Sequence, residues 1–375
     1  MNRKIYLSSP CMCGKEQEYI NEAFDTNWVA PLGKNVTEFE NELKAYIGTE
    51  GAVAMNAGTA ALHMSYRALN IKKGDVVFCQ SMTFSATANP IVYQNATPVF
   101  IDSEPETWNM SPQALRKAFQ KYPNPKAVVV VHLYGTPAKM DEIMQICKEH
   151  NVPLVEDAAE GLGGEYHGRK LGSFGDYGVL SFNGNKIITT SGGGMLLSDN
   201  TDMLKNVLKW ITQSREPARW YQHEELGYNY RMSNIVAGIG RGQLTVLDDH
   251  VKQKTDIYNK YKKSFKNIPL TMQPYEDNTK PNHWLSVATV DRECNVSPFD
   301  IMDRLAQENV ETRPVWKPMH MQPFYKDCDC FSHNDDGTSV SEDIFKRGIC
   351  LPSDFYPQMT PQEHNEIIEI IKEMF

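Results

Sequence analysis

The sequence predicts an α/β protein in which a mostly parallel sheet lies between layers of helices. Short, almost continuously apolar runs alternate with helical patterns from about residue 40 to residue 200. Most of these runs are rich in Val, Ile and Leu, which is typical of strands buried on both faces of a parallel sheet. After Asp199 the pattern changes to longer helices and then to a mixed tail. Such alternation predicts helices on both faces and ligand sites at the carboxyl ends of the strands.

Seven strands are predicted for this sheet. In chain order they are Ala52–Met55, Val76–Cys79, Pro98–Ile101, Ala127–His132, Pro153–Glu156, Val179–Phe182 and Gly194–Leu197. Helical patterns separate several of these strands. They cover Thr59–Leu69, Ser111–Lys121 and Lys139–His150.

The second half of the chain predicts a smaller domain. Thr201–Ser214 and Ser233–Phe265 have helical patterns, and the second is long enough to join two domains. The tail mixes a strand, Leu285–Val290, with the helices Pro298–Glu308 and Pro361–Met374. We therefore expect a large domain at residues 1–250 and a smaller α+β C-terminal domain at residues 251–375.

Composition excludes several classes of protein. The 375 residues are 41% apolar and 23% charged, which are ordinary globular proportions. The net charge of −9 argues against a nucleic-acid partner. The longest aliphatic run, 127–131, is far shorter than the roughly 20 residues that a membrane span needs. The 8 cysteines lack metal-ligand spacing. We expect a cytoplasmic protein with reduced thiols and without a membrane, nucleic-acid or metal partner.

Lys186 is the first candidate for chemistry. It follows an apolar strand and precedes a turn rich in glycine, 192–194, and a second apolar strand. A lysine at a turn is usually exposed to solvent, which is the alternative here. Ile187 and Ile188, however, draw this segment inward. Burial among apolar groups favours the neutral, nucleophilic amine, which can form a Schiff base.

Asp157 is the second candidate, because it directly follows the predicted buried strand Pro153–Glu156. An acid there can cap a helix, but the carboxyl end of a parallel strand also points into the ligand crevice. An aspartate beside a buried lysine indicates pyridoxal phosphate, since the carboxylate can keep the pyridine nitrogen protonated.

The segment Asn56–Leu62 is the third candidate. A strand runs into small residues, with Gly58 and Thr59 at the start of a helix. The alternative is an ordinary loop with a Thr cap. The free N–H groups of a helix N-terminus also form a ready phosphate site.

Taken together, these segments resemble the sugar aminotransferases of the DegT/DnrJ/EryC1/StrS family. The matching stretches occur in the right order over nearly the whole chain. They are Asn27–Gly33, Asn56–Leu62, Thr83–Asn89, Val131–Gly135, Glu156–Glu160, Ser181–Gly194, Gly227–Asn234 and Arg313–His320. The resemblance implies the type I fold of pyridoxal-phosphate enzymes, which is like that of aspartate aminotransferase. We therefore expect a mixed, mostly parallel seven-stranded sheet and a smaller α+β domain.

The resemblance also implies a role for each matching residue. Lys186 would bind the cofactor covalently and act as the catalytic residue. Asp157 would hold the pyridine nitrogen, Phe84 would stack on the ring, and Glu160 would lie near the ring hydroxyl. The implied cofactor-binding residues are Gly58, Thr59, Ala60, Phe84, Asp157, Glu160, Ser181, Lys186 and, from the partner subunit of a homodimer, Asn229. The implied substrate-binding residues are Asn27, Trp28, Val29, Ala30, Asn56, Arg231 and His320.

Alternatives remain for single residues. Phe84 is a core residue in the plainer interpretation, and His320 is a core or surface histidine. Asn229 and Arg231 then form a polar surface turn. The family also uses Gln or His at the position of Glu160.

The branch of the family that this chain most resembles aminates UDP-linked 4-keto-6-deoxy-N-acetylhexosamines, as in the N-acetylbacillosamine pathway. The implied substrates are a nucleotide sugar and an amino acid donor, glutamate. One alternative is another keto-sugar or carbon, with C3 or axial C4 amination. A second alternative is a regulator that binds pyridoxal phosphate without transferring an amino group.

Overall fold

The computed structural model describes residue 1 and residues 3–375. Its helices are α1 (Glu16–Asp25), α2 (Lys34–Ile47), α3 (Gly58–Ala68), α4 (Ser85–Tyr93), α5 (Pro112–Lys121), α6 (Met140–His150), α7 (Thr201–Ile211), α8 (Asn234–Leu244), α9 (Leu247–Ser264), α10 (Pro298–Gln307), α11 (Val340–Arg347) and α12 (Pro361–Lys372). Its strands are β1 (Gly51–Met55), β2 (Val76–Gln80), β3 (Thr97–Ile101), β4 (Ala127–Val131), β5 (Leu154–Asp157), β6 (Glu165–Tyr166), β7 (Arg169–Lys170), β8 (Tyr177–Ser181), β9 (Gly194–Ser198), β10 (Leu270–Met272), β11 (Thr279–Lys280), β12 (Ser286–Val290), β13 (Arg313–Pro314), β14 (Cys330–Phe331) and β15 (Gly348–Leu351).

The large sheet confirms the predicted architecture. Its strand order is β1-β9-β8-β5-β4-β2-β3-β14. Strand β9 pairs antiparallel with both of its neighbours, and the remaining pairs are parallel. Every predicted strand is present, with bounds within two residues of those expected from the pattern.

The expected count of seven strands is one too low, because the described residues place eight strands in this sheet. The extra strand, β14, comes from the C-terminal part of the chain and pairs in parallel with β3 at the sheet edge. Two residues are too few to show a periodic pattern, so hydrophobic periodicity could not reveal this strand.

Both faces of the large sheet are buried, as the apolar runs predict. Val128 and Val130 of β4 pack on the face covered by α2, α5 and α6. Val129 of the same strand packs on the opposite face with α3, α4 and α7. Strands β4, β5 and β8 run side by side, with Val131 opposite Asp157 and Asp157 opposite Val179. Their carboxyl ends therefore meet at one edge of the sheet.

The predicted long helix at 233–265 is wrong in one respect, since it is broken into α8 and α9. The hydroxyl of Thr245 donates to the Gly242 carbonyl at 2.7 Å, which ends α8. Val246 then has φ −120° and ψ 8°, outside the α-helical range. Two β-branched residues in succession thus mark the break, whereas the apolar pattern runs on through it.

The C-terminal part contains a four-stranded sheet of order β10-β12-β15-β13, in which all pairs are antiparallel. Helices α9, α10 and α12 cover it, with Tyr261, Ile301 and Ile367 fully buried beneath them. Ile5 from the N-terminus packs in the same core. The division at residue 250 falls inside α9 and stays a prediction. In the described part of the chain, no helix combines the length and apolarity that a bilayer span requires.

Candidate active site

A cavity of about 680 Å³ opens at the carboxyl edge of the large sheet. Strands β5 and β8, the N-terminus of α3 and residues of the C-terminal part line it. Many of the residues that the sequence predicts as functional meet here. They are Asn56, Gly58, Thr59, Phe84, Asp157, Glu160, Ser181 and Lys186. The position agrees with the rule that ligands bind outside the carboxyl ends of parallel strands.

Asp157, the last residue of β5, is buried at the floor of the cavity. Its carboxylate accepts hydrogen bonds from the Thr87 hydroxyl at 2.7 Å and from the Ala159 N–H at 3.2 Å. Burial raises the pKa of Asp157 above its ordinary value, although these donors oppose the rise. A protonated ring nitrogen would supply a positive charge beside this desolvated carboxylate.

Lys186 lies in the loop between β8 and β9, and its amine reaches the same cavity. Its Nζ donates to Glu160 Oε1 at 3.4 Å and lies 4.1 Å from the centroid of the Trp284 ring. The lysine side chain is 13% exposed, so the solvent-facing alternative does not hold. Contact with an aromatic face and a carboxylate directs the amine into the cavity.

Glu160 is a buried acid with two opposing influences. Burial raises the pKa of its carboxyl to about 7. The Lys186 ammonium and the Tyr134 N–H, which donates to Oε2 at 2.7 Å, counteract this effect. The group therefore titrates near neutrality in the cofactor-free site, where it can either donate or accept a proton.

The N-terminus of α3 lies at the cavity and offers free backbone donors. The first helical hydrogen bond here is donated by the Ala61 N–H to the Ala57 carbonyl at 3.2 Å, and among the described residues no side chain caps the helix. The N–H groups of Gly58, Thr59 and Ala60 are therefore left for a ligand. Ala60 is itself buried and contributes only its backbone.

Close packing holds this helix end against the sheet. A Cβ on Gly58 would lie 3.0 Å from the Cβ of Ser181, so the two residues are neighbours. A Cβ on Gly194 would lie 2.4 Å from the N of Gly58, which a real side chain could not do. Gly194 is thus required for the approach of α3 to β9, as the glycine-rich turn suggested.

Phe84 stands at the cavity mouth with its side chain largely exposed. Its ring centroid is 5.7 Å from that of Trp316, and Trp316 is 5.1 Å from Tyr134. Tyr134 has φ 55°, a left-handed conformation that is uncommon for a bulky residue. The strained backbone lets its N–H reach Glu160 while its hydroxyl accepts from the Trp316 N–H at 2.9 Å. The aromatic wall and Glu160 are therefore held by one residue.

Several predicted substrate residues lie outside this cavity in the single chain. Asn27, Trp28 and Val29 are exposed, and the carbonyls of Trp28 and Ala30 accept from Asn234. Arg231 pairs with Glu40 and donates to the Ala54 carbonyl at 3.1 Å. These contacts fix the segments without bringing their side chains to Lys186.

Asn229 and His320 also lie outside the residues that line the cavity. The carbonyl of Asn229 accepts from the side chain of Asn56 at 3.3 Å, while its own side chain is exposed. His320 Nδ1 is 2.6 Å from the Ser81 hydroxyl, and its Nε2 is 3.2 Å from Glu342. Their roles toward cofactor and substrate stay predictions.

Some residues that support the site were not identified from the sequence. Thr83, just before α4, has its hydroxyl 2.7 Å from that of Thr87 in the first turn, and the Thr87 hydroxyl donates to Asp157. Both threonines lie in the stretch Thr83–Asn89 that resembles the family, which was a usable signal. Trp284 gave no such signal, because it lies almost a hundred positions from Lys186 in sequence and meets it only in the fold.

The residues present fit pyridoxal 5′-phosphate. One cavity contains the Lys186 amine, the buried carboxylate of Asp157 and the free N–H groups at the start of α3. These are the groups that such a cofactor needs at its aldehyde, its ring nitrogen and its phosphate. The charge of Lys186 and the hydrogen bonds to Asp157 do not fully offset the burial of this carboxylate. Among the described residues no cluster of His, Cys, Asp and Glu is arranged to hold a metal ion.

Comparison with known families agrees with this assignment. The model of the DegT/DnrJ/EryC1/StrS aminotransferase family matches residues 10–372. The chain therefore belongs to this family, whose cofactor is pyridoxal 5′-phosphate.

Three relatives illustrate the range of the family. The candidate pyridoxal phosphate-dependent aminotransferase EpsN of Bacillus subtilis (strain 168) is 51% identical over 100% of this chain and 97% of its own. The GDP-perosamine synthase of Escherichia coli O157:H7 is 36% identical over 99% and 98%. The UDP-4-amino-4,6-dideoxy-N-acetyl-beta-L-altrosamine transaminase of Campylobacter jejuni (strain 81-176) is 33% identical over 78% and 79%.

Solved structures share the fold. The aminotransferase PseC of Helicobacter pylori superposes with a TM-score of 0.89 at 21% identity, over 100% of this chain and 99% of its own. The candidate sugar aminotransferase Spr1654 of Streptococcus pneumoniae, in its PLP form, superposes with a TM-score of 0.88 at 23% identity, over 99% and 100%. The predicted fold class is thereby confirmed.

Proposed function

We propose that this protein transfers the amino group of L-glutamate to the keto carbon of UDP-4-keto-6-deoxy-N-acetylglucosamine. The observation that carries the proposal is the convergence of Lys186, Asp157 and Glu160 in one cavity beside free helix N–H groups. The family supplies the coarser statement, an aminotransferase acting on nucleotide sugars, and the relatives include a transaminase of a UDP-linked amino sugar. L-Glutamate is the donor that the family resemblance implies. A cytoplasmic location remains part of the proposal.

The residues divide the chemistry between them. When bound, the cofactor supplies the electron sink for the carbanion. The Lys186 amine would take the proton from the donor Cα as a base, and it would give a proton as an acid to the sugar carbon that receives the amino group. The Asp157 carboxylate would hold the ring nitrogen in its charged form. The α3 N–H groups, with Thr59 and Ser181, would hold the phosphate, and Phe84 would cover the ring.

Glu160 would control the charge near the ring hydroxyl. In the cofactor-free protein burial raises the pKa of Glu160 to about 7, so its carboxyl would be able to hold or release a proton beside that hydroxyl. The Lys186 amine and this carboxylate are 3.4 Å apart, so the charge of the amine affects the pKa of Glu160.

We also propose a homodimer in which the partner subunit contributes Asn229 to the phosphate site. Segment 212–231 carries large apolar side chains that the single chain leaves open. Trp220, Tyr221 and Leu226 are 68%, 80% and 69% exposed. Exposed apolar groups of this size favour burial against a partner, and a two-fold interface would form two identical sites at once. The substrate-facing roles of Asn27–Ala30, Asn56, Arg231 and His320 belong to the same proposal.

The test is a product assay on the purified protein with bound cofactor. L-Glutamate and UDP-4-keto-6-deoxy-N-acetylglucosamine should yield 2-oxoglutarate and a sugar that NMR shows to be aminated at C4. GDP-linked 4-keto-6-deoxy sugar is the competing acceptor, because one relative is a GDP-perosamine synthase.

Each outcome assigns a function to the protein. Preference for the GDP sugar, or amination at another carbon, would contradict the proposed acceptor but would still support transaminase activity. If L-glutamate does not change the absorbance of the bound cofactor and no acceptor is aminated, the regulator is the better assignment.

A further inference from the structure

A buried lysine that the proposed chemistry does not use lies behind the β8–β9 loop, which carries Lys186. Lys254 on α9 has a side chain that is 4% exposed, and burial lowers its pKa to about 8. Its Nζ donates to the Ser8 hydroxyl at 3.0 Å, and the nearest carboxylate, Asp354, is 4.0 Å away. Burying an ammonium with so few partners costs folding free energy. This cost indicates that the lysine has a role at this position.

The hydrogen-bond directions in this network follow from the donor groups. An ammonium has no acceptor lone pair, so the Ser8 oxygen must accept from Lys254 and donate its one proton elsewhere. That proton goes to the Asn185 carbonyl at 3.0 Å. The same carbonyl accepts from Trp284 Nε1 at 2.5 Å. Both lone pairs of the carbonyl before Lys186 are therefore occupied.

The N-terminal segment that carries Ser8 is fixed on both sides of it. The Ser353 N–H donates to the Leu7 carbonyl at 2.8 Å, and the Ser9 N–H donates to Asp354 at 2.8 Å. Leu7 and Ser8 also line the cavity. The Ser8 hydroxyl thus connects a rigid support to the otherwise exposed loop at Asn185.

Trp284 completes the connection to the reacting amine. Its indole N–H holds Asn185, while its ring face contacts the Lys186 Nζ at 4.1 Å. The Ser8 hydroxyl and the indole N–H therefore hold the carbonyl before Lys186, while the indole ring, together with Glu160, directs the lysine amine.

We propose that Ser8 and Lys254 are positioning residues for Lys186. The Lys254 ammonium orients the Ser8 hydroxyl onto the Asn185 carbonyl, and this bond fixes the loop from which the Lys186 amine works. The effect on rate rests on the proposed function, whereas the effect on the loop does not.

The experiment compares four variants of the protein with bound cofactor. Ser8→Ala removes the hydroxyl, Ser8→Thr retains it, and Lys254→Met removes the cation. Ser9→Ala is the matched control, because it deletes a neighbouring hydroxyl that bonds Asp354 while the Ser9 N–H bond remains. The readouts are amide hydrogen exchange of residues 183–187, the pH titration of the absorbance of the bound cofactor, and kcat and KM for the donor.

Ser8→Ala should speed exchange at residues 183–187, shift the absorbance titration, and lower kcat about 3- to 10-fold with KM unchanged, the effect of losing one hydrogen bond. Ser8→Thr should restore all three readouts. If Lys254→Met does not fold, Ser8→Ala still decides.

A lower Tm in Ser8→Ala with exchange and titration equal to those of Ser9→Ala would overturn the proposal and leave a purely structural clamp. Faster exchange with unchanged titration and kcat would overturn it as well. If no acceptor is aminated by any form, the exchange and the titration still decide, so failure of the proposed function is distinguishable.

Discussion

Two regions of this molecule carry predicted functional residues, and only one of them lies at the cavity of the single chain. At the carboxyl edge of the sheet, Asp157, Glu160 and Lys186 converge in one cavity. The segments at 27–30 and 229–231 instead make contacts of their own, and Asn229 faces solvent. The fold of one chain is enough to assemble the first region. The second region can take part in the reaction only if it reaches the cavity of a second copy, as in the proposed homodimer.

The largest effect is expected at Lys186. Lys186→Ala should reduce turnover by at least about 10⁴-fold, the upper end of what general acid–base catalysis contributes, while the phosphate contacts still retain cofactor. Borohydride reduction of the unaltered protein followed by peptide mapping should label Lys186. Lys170→Ala is the control, because that amine pairs with Glu165 away from the cavity. A label on another lysine would contradict the assignment of Lys186 as the residue that binds the cofactor.

Asp157→Asn should reduce turnover by about 10²- to 10³-fold, the cost of losing one group that stabilises developing charge. The amide cannot hold the ring nitrogen in its charged form. Asp176→Asn is the matched control, since that carboxylate accepts the Leu154 N–H at the opposite end of β5. A near-normal rate and absorption spectrum for Asp157→Asn would show that the ring nitrogen lies elsewhere.

Subunit mixing tests the second region. Inactive Lys186→Ala and inactive Asn229→Ala proteins, allowed to exchange subunits, should recover about a quarter of normal activity, because half of the dimers are mixed and each holds one intact site. Mixing Lys186→Ala with Asp157→Asn should recover nothing, since both defects belong to the chain's own cavity.

Absence of recovery after demonstrated exchange would place Asn229 in its own subunit's site or outside both sites. A fully active monomer by sedimentation would end the shared-site interpretation.

The smallest effect concerns stability. The pKa of Glu160 is raised from 4.5 to about 7, so the folded protein binds a proton there more tightly than the unfolded chain does. The stability that this proton contributes is present below pH 4.5 and is lost as the pH rises through 7. Glu160→Gln should therefore raise the unfolding free energy of the cofactor-free protein at pH 8 by about 1–3 kcal/mol, and the gain should shrink toward pH 5.

Urea unfolding at the two pH values measures this difference. Glu149→Gln, at an exposed carboxylate paired with Arg116, is the control and should show no such trend. A gain for Glu160→Gln that is larger at pH 5 than at pH 8 would contradict the assigned sign.

The sequence predicted the sheet-edge region well for a physical reason. Buried parallel strands are uninterrupted apolar runs, so the polar residue that ends a run, such as Asp157, stands out at the place where ligands bind. Contacts between distant segments leave no such trace. Trp284 and Tyr134 support Lys186 and Glu160 through the fold alone. The break at Thr245 was hidden because the apolar spacing continues across it.

Strand β14 has a consequence for how the chain can be divided. Cys330–Phe331 completes the edge of the large sheet, while Ile5 pairs with Val310 in the C-terminal part. Each half of the chain therefore contributes a short backbone segment that pairs with the other half. Fragments made by cutting at residue 250 would each lack a piece of their own packing. We expect such fragments to assemble only when they are expressed together, and a protease cut at that point to leave the halves associated.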